Sequence, residues 1–370
     1  MNFLLTPTAM KGALGAAQIA VVIQRSLRRR YPNAGIVSIP VADGGNGTLE
    51  CLMNALGGTV YDKEVTGPIP SQKVRARYGI TARNVGIIES AEAIGLHHIT
   101  PSSETIAQST TRGVGELIVE LTERKCAEIL IGLGGSATND GGAGMARALG
   151  FGLTDEHGET LRDGAIPLLH LTGITGTPPR VGTIGIKLLS DVRNPLLGST
   201  GATETFARQK GADEEQLPYI EAAMKNFADV VEHHFGKEYR NIPGAGAAGG
   251  LGFGSIAFCN ATMHSGIDTV LDLISFDAAV ERCDCVITAE GMLDGQTLFG
   301  KGVAGIARRA QRFNRPVHAF VGKIVGDPTA LQRELGLASL TQISPEELSP
   351  VQAMRDASWL LADAIYHHSF

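Results

Sequence analysis

Long apolar runs and cysteines are both scarce in this 370-residue chain, and each scarcity removes a class of protein. No window reaches the roughly 20 apolar residues that a membrane-spanning helix requires. The opening Met1–Leu5 offers neither the basic flank nor the long apolar core of an export signal, so a cytoplasmic protein is expected. The five cysteines, Cys51, Cys126, Cys259, Cys283 and Cys285, have neither zinc-ligand spacing nor the pattern of a disulfide framework. The last two open an apolar strand and read as buried thiols. With a net charge of −6, the chain has no general attraction for nucleic acid or an acidic membrane. The basic run Arg28–Arg30 fits the solvated end of a helix, where the dipole favours cations.

What is present is the composition of a soluble globular protein: 43% hydrophobic residues, 19% charged ones and 47 glycines in a length that suits two domains. Short apolar runs alternate with helical periodicity at both ends, the pattern of a parallel sheet with crossover helices. Asn2–Thr6 reads as a strand. In Ala13–Arg30, Leu14, Ile19, Val22, Ile23 and Leu27 fall close to one helical face, and Pro32 ends the helix. Ile36–Val41, Ala127–Gly132, Cys285–Thr288 and Pro316–Val321 are further strands, with helices over Thr110–Arg124, Ala143–Gly150 and Lys301–Phe313. Thr59–Ile80 and Val85–Ser90 alternate with turn residues, as in a mixed sheet. The expected fold is α/β: a Rossmann-like or flavodoxin-like parallel-sheet domain (1–60, 106–150 and 276–370) interrupted by a second α/β domain with a mixed sheet (61–105 and 151–275).

The glycines cluster after strands, where open α/β sheets bind ligands. The strongest cluster is Ile131-Gly-Leu-Gly-Gly-Ser-Ala-Thr-Asn-Asp-Gly-Gly-Ala-Gly144, an apolar run ending in a loop poor in bulky side chains. Its backbone N–H groups can approach an oxyanion closely, and a helix starting behind it would add partial positive charge. A phosphate ligand is expected, against the plainer reading of a buried turn that needs glycine for packing. Gly244–Gly249 satisfies a dinucleotide fingerprint but follows Asn241-Ile-Pro243 rather than a strand. Gly295–Lys301 nearly forms a P-loop, yet Gly302 stands where a magnesium-binding hydroxyl belongs; Lys301 is retained as a phosphate contact. Asp43, Asp140, Asp191, Glu290 and Asp294 all lie near the ends of apolar strands. Together these loops hold what phosphoryl transfer requires: oxygen donors for a metal, N–H groups for phosphates and a carboxylate for the acceptor's proton.

Pro40-Val-Ala-Asp-Gly-Gly45, Ile131–Gly142, Ser190-Asp-Val-Arg-Asn-Pro195, Gln209-Lys-Gly211, Pro243–Gly250 and Glu290-Gly-Met-Leu-Asp-Gly-Gln296, taken in order, resemble the type-1 glycerate kinase family over nearly the whole chain. The resemblance implies a two-domain α/β fold and phosphorylation of D-glycerate by ATP and Mg²⁺, usually at the 2-hydroxyl. On that basis Gly134, Gly135, Ser136, Thr138, Asn139, Asp140 and Lys301 are expected to hold ATP, and Asn194, Glu290 and Asp294 the acceptor. Asp191 is expected to face the acceptor hydroxyl, with Lys11 and Asp43 as further catalytic groups and Asp43 as the metal ligand. The partner is then a small molecule, for a monomer or homo-oligomer alike.

Departures from the family pattern fall in loops. Thr8 and Ala9 replace a carboxylate and a hydroxyl, Asn46 a glutamate and Met292 an arginine, while Arg193 and Lys323 also differ. Methionine cannot supply the fork of donors that arginine offers a carboxylate or phosphate. A kinase for another short hydroxy acid and a ligand-binding relative without catalysis are therefore the alternatives.

Overall fold

The computed structural model describes residues 1–176, 184–295 and 302–370. In chain order its strands begin with β1 (Asn2–Leu5), β2 (Gly35–Ser38), β3 (Gly58–Thr66), β4 (Lys73–Thr81), β5 (Val85–Glu89) and β6 (Glu128–Gly132). They continue with β7 (Gly152–Thr154), β8 (Gly173–Thr175), β9 (Gly185–Leu189), β10 (Thr262–His264), β11 (Cys285–Leu293), β12 (Val317–Ile324) and β13 (Ser339–Gln342). The chain forms two compact units, one of Met1–Asp43, Glu50–Leu56 and Ile267–Phe370, the other of Gly44–Leu49 and Gly57–Gly266.

The described strands of the first unit form a parallel sheet in the order β13-β12-β11-β1-β2. Its central strands are buried, and Phe3, Leu5, Cys285, Ile287, Ala289 and Phe320 share a core with two helices, Ala16–Arg30 and Pro350–His367. The first helix buries Ile19, Ile23 and Leu27, spaced by four as an amphipathic helix requires. It starts three residues later than its periodicity predicts because Met10 and Leu14 exchange backbone hydrogen bonds in a tight loop. Gln18 then caps the start, its Oε1 accepting the Gly15 N–H at 2.9 Å. Strand β11 runs five residues past the predicted Thr288 end.

The second unit carries a mixed sheet, β10-β9-β6-β5-β4-β3, with β10, β9, β6 and β5 parallel and β4 and β3 antiparallel. A small β7–β8 hairpin stands apart. Val114, Leu117, Ile118 and Leu121 of the helix Arg112–Glu123 pack in its core with Phe151, Phe227, Phe253 and Phe258. The α/β class with one parallel and one mixed sheet agrees with expectation. The segment 106–150 does not fall where it was expected: β6 pairs with β5 and β9 in the mixed sheet and belongs to the second unit. Its apolar run suits a central strand of either sheet, so composition carries no information about its neighbours.

All five cysteines are buried and unbridged. Burial pushes the thiols of Cys51, Cys259 and Cys285 up to about 12, which keeps them neutral. Among the described residues no helix is long and apolar enough to cross a membrane.

Candidate functional site

In the second unit, strands β5, β6, β9 and β10 all point the same way, so the loops after them gather along one edge of the sheet. The loop after β6 is woven into this edge by its own backbone. Leu133 N donates to Leu189 O at 3.2 Å, Gly134 N to Gly44 O at 3.0 Å and Ala137 N to Ile94 O at 2.8 Å, while Gly135 O accepts Leu96 N at 2.9 Å. A Cβ at Gly134 would press on Gly45, 2.5 Å from its Cα. Gly135 has φ +79°, and a Cβ there would run into Asn46. Glycine is therefore obligatory at both positions, and they are the part of the loop that reaches solvent: Gly134 half-buried, Gly135 exposed.

From Ser136 onward the loop turns inward. Asp140 is fully buried; Oδ2 accepts from Thr111 N (2.8 Å), Thr111 Oγ1 (3.0 Å) and Gly144 N (3.0 Å), and Oδ1 from Gly142 N (3.1 Å). Burial pushes its carboxyl up, and these donors oppose the shift. The N-terminus of the helix Ala143–Ala148, expected to greet a phosphate, is already served by this carboxylate. Asp140 thus organises the loop and has no face toward solvent. Thr138 and Asn139 are also fully buried, and Asn139 Nδ2 donates to Thr203 Oγ1 at 3.3 Å. Of the side chains and glycines assigned to ATP, the structure leaves Gly134, Gly135 and the margin of Ser136 at the surface. Lys301 lies outside the described residues.

The glycines at the loop's far end serve packing. Gly141 N donates to Gly249 O at 3.0 Å, and a Cβ on Gly142 would sit 2.8 Å from the Gly254 Cα. Gly249 itself has φ +65° and abuts the Thr138 carbonyl. The dinucleotide-like Gly244–Gly249 stretch is the partner of this interlock, leading into the helix Ala247–Cys259, and no strand precedes it.

Along the same edge, Asp191 follows β9 half-buried, its Oδ1 accepting from Ser265 Oγ at 2.9 Å beyond the end of β10. Asn194, expected to meet the acceptor, spends its amide inside the protein, donating to Thr200 O at 2.7 Å and Thr205 Oγ1 at 3.3 Å. Two residues absent from the expected set also stand here. Glu89 ends β5 as a buried carboxylate whose Oε2 accepts Gly47 N and Leu49 N, both at 3.1 Å. Burial raises it to about 6 against those two bonds. Lys210 is buried beneath the loop, its Nζ donating to Thr138 O at 2.7 Å and Ser136 Oγ at 3.2 Å. Burial lowers it to about 7 while Asp140 acts in the opposite direction. Glu89 was legible as one more acid closing an apolar run; Lys210 gave no sign beyond its place in Gln209-Lys-Gly211.

The first unit has its own edge of strand ends. Thr8 N and Oγ1 both donate to Ala289 O, at 2.9 and 3.0 Å, so this hydroxyl is turned onto β11 and away from solvent. Lys11 follows on the Met10–Leu14 loop, exposed, and a Cβ at Gly291 would come within 3.4 Å of its N. Asp43 is half-buried two residues after Val41, whose N–H donates to Pro7 O at 2.9 Å. Glu290, half-buried, faces the start of the helix Gly302–Gln311: a Cβ on Gly302 would lie 3.3 Å from Oε2. The helix dipole favours a carboxylate there. Asp294 is half-buried at the end of β11, and Met292 is 51% exposed. Topology thus brings Lys11, Asp43, Glu290 and Asp294 to one edge of the parallel sheet. Among the described residues no three His, Cys, Asp or Glu side chains converge into a ready metal cage.

A glycine turn and a carboxylate thus stand on the carboxyl edge of parallel strands, the place where α/β proteins as a class bind ligands. Comparison with known proteins narrows the class. Residues 3–368 match the glycerate kinase family. A glycerate kinase of Halalkalibacterium halodurans is 37% identical over 366 residues, covering 98% of this chain and 96% of that one. A glycerate 2-kinase of Escherichia coli is 37% identical over 330 residues, 88% of this chain and 86% of that one. A solved glycerate kinase 2 structure from Salmonella typhimurium LT2 superposes with a TM-score of 0.83 at 34% identity, covering 99% and 96%. The chain belongs to the glycerate kinase family, and it is an enzyme of that family.

Proposed function

We propose that this enzyme transfers the γ-phosphoryl group of ATP to the 2-hydroxyl of D-glycerate, giving 2-phospho-D-glycerate in the cytoplasm. The observation that carries the reading is the pairing, on one sheet edge, of the solvent-facing Gly134–Gly135 turn with the half-buried Asp191 carboxylate. The names of the relatives support the acceptor and, through the E. coli protein, the position. In phosphoryl transfer the protein's work is positioning and charge neutralisation. Gly134 and Gly135 let donor phosphates approach the backbone closely, and Asp191 accepts the proton of the attacking hydroxyl. The Ser265 hydroxyl orients Asp191 by its hydrogen bond. Taken by itself, the first unit offers Lys11, a cation suited to a phosphate or a carboxylate, and Glu290 and Asp294, carboxylates that can accept hydrogen bonds from hydroxyl groups; these are the contacts we assign to them.

Mg²⁺ uses one or two protein carboxylates, with water and phosphate oxygens completing its shell. The donor set fits that demand, and Asp43 is the carboxylate we assign to it. When bound, the ion neutralises charge on the transferred phosphate. The test is ADP release by the full chain with ATP, Mg²⁺ and D-glycerate, the product read by phosphorus NMR. Phosphate on C2 is expected; phosphate on C3, or no transfer, overturns the reading.

A second reading changes only the acceptor. The exposed Met292 and the inward-turned Thr8 leave that part of the first unit's edge less polar than a charged or hydroxyl residue would. A panel of short hydroxy acids in the same assay decides it, and clear preference for D-glycerate defeats it.

A further inference from the structure

Lys210 is a buried ammonium that the chemistry above does not touch. It is 3% exposed, and no described carboxylate forms an ion pair with it; Asp140 acts on it through space. A lone buried charge is costly, and a fold selected for stability alone would fill this place with an apolar side chain. The chain goes to some length to keep it there. Lys210 ends the short turn Arg208–Lys210, and Gly211 behind it has φ +110°, where an added Cβ would run into the backbone of Ser102, a place no larger residue fits.

The contacts say what the charge accomplishes. Nζ reaches Thr138 O and Ser136 Oγ, the two residues flanking Ala137, from the inner side of the loop. Leu96 N–H takes the Gly135 carbonyl at 2.9 Å. The carbonyl oxygens of Gly135 and Thr138 are thus both engaged by donors of the chain, and the protonated Lys210 places a positive charge within hydrogen-bond reach of Ser136, the residue that follows the exposed Gly135.

We infer that Lys210 is a positioning residue for the phosphate donor: from beneath the loop it fixes Ser136 and Thr138 and gives the Gly134–Gly135 turn the positive field that a nucleotide phosphate meets. The inference rests on the proposed use of this loop for ATP, and its test separates the two. In the full chain, Lys210→Met is expected to raise the KM for ATP about tenfold, the loss of one charge-assisted interaction, with KM for D-glycerate unchanged and kcat within about threefold. Because Lys210 titrates near 7, with Asp140 opposing its deprotonation, the ratio of variant to wild-type KM for ATP falls toward one between pH 6 and pH 8.5. A lysine that only supported the fold would lower the melting temperature and move both KM values or neither. Ser136→Ala keeps the ammonium and removes one partner; a smaller rise in KM for ATP, non-additive with Lys210→Met, is expected. It also stands as the test should Lys210→Met not fold.

An unchanged KM for ATP at pH 6.5 in the variants, or equal losses for both substrates, overturns the inference. Should the wild type fail to phosphorylate D-glycerate, the functional reading falls, and protection against melting by ADP still decides here. Protection of the wild type that is lost in Lys210→Met supports the role of Lys210. Equal protection of both, or none of the wild type, refutes it.

Discussion

The loops after β6 and β9 stand on the same edge of one sheet, and each carries an aspartate near an apolar strand, yet the two aspartates live in opposite surroundings. Asp140 is fully buried and accepts four donors from its own chain; Asp191 is half-buried and bonded to a serine hydroxyl at the surface. The first has the environment of a bound anion; the second keeps a face open to solvent, as the base we propose it to be requires. An acid after a strand is thus defined by where its donors come from. Where backbone N–H groups of the neighbouring loop saturate it, its work is architectural, and the acid that retains a solvent face is the one we propose for the chemistry.

Substitutions that spare shape and alter charge sharpen this contrast. The largest effect is expected from Asp191→Asn: turnover falls about a thousandfold, while ADP protection persists and the melting temperature stays within about 2 °C. Retained turnover would break the comparison at its catalytic side. Asp140→Asn should do the reverse, costing about 3–5 kcal/mol in denaturant unfolding because an amide NH₂ is turned on buried donors. A stable Asp140→Asn variant that loses only ATP affinity would place Asp140 at the ligand after all.

Glu89 stands between the two cases, and its effect is the smallest. Its folded-state value of about 6 lies above the ordinary 4.5, so its contribution to stability is fully present below pH 4.5 and lost as pH rises through 6. Glu89→Gln should remove that slope, about 2 kcal/mol across the window, as read by denaturation at several pH values. An unaltered slope would mean that Glu89 titrates like an exposed acid.

Much of this was legible from the sequence, for reasons visible in particular residues. Ile19, Ile23 and Leu27 announce their helix by spacing, and Phe3–Leu5 and Ile129–Ile131 announce strands by unbroken apolarity. Helix and strand ends were less legible where the decisive bond comes from elsewhere, as with the Met10–Leu14 loop that delays the first helix. The placement of 106–150 was hidden because β6 looks alike whichever sheet receives it. At the site, the glycine run stands out in the sequence, but its two halves could not be told apart. Gly134 and Gly135 make room at a surface, whereas Gly141 makes room for the Phe227 ring and Gly142 for the Gly254 backbone of a second glycine segment more than a hundred residues away. Lys210 was hidden for a similar reason, since burial of a lysine depends on the shell that closes around it.

The strand order of the first unit has a consequence in time. β1 lies between β2 and β11, and β11 begins at Cys285, so the apolar Phe3–Leu5 strand is synthesised long before one of its two neighbours exists. At about 5–20 residues per second, a ribosome takes on the order of 10–50 s to travel from β2 to β11. During that interval the whole of Gly57–Gly266 emerges with its sheet partners already at hand, while the amino-terminal strand–helix–strand unit waits with one edge open. The enzyme's first strand is therefore among the last to be completed, and the waiting edge is where a chaperone, or a misplaced strand of another chain, finds the nascent protein most exposed.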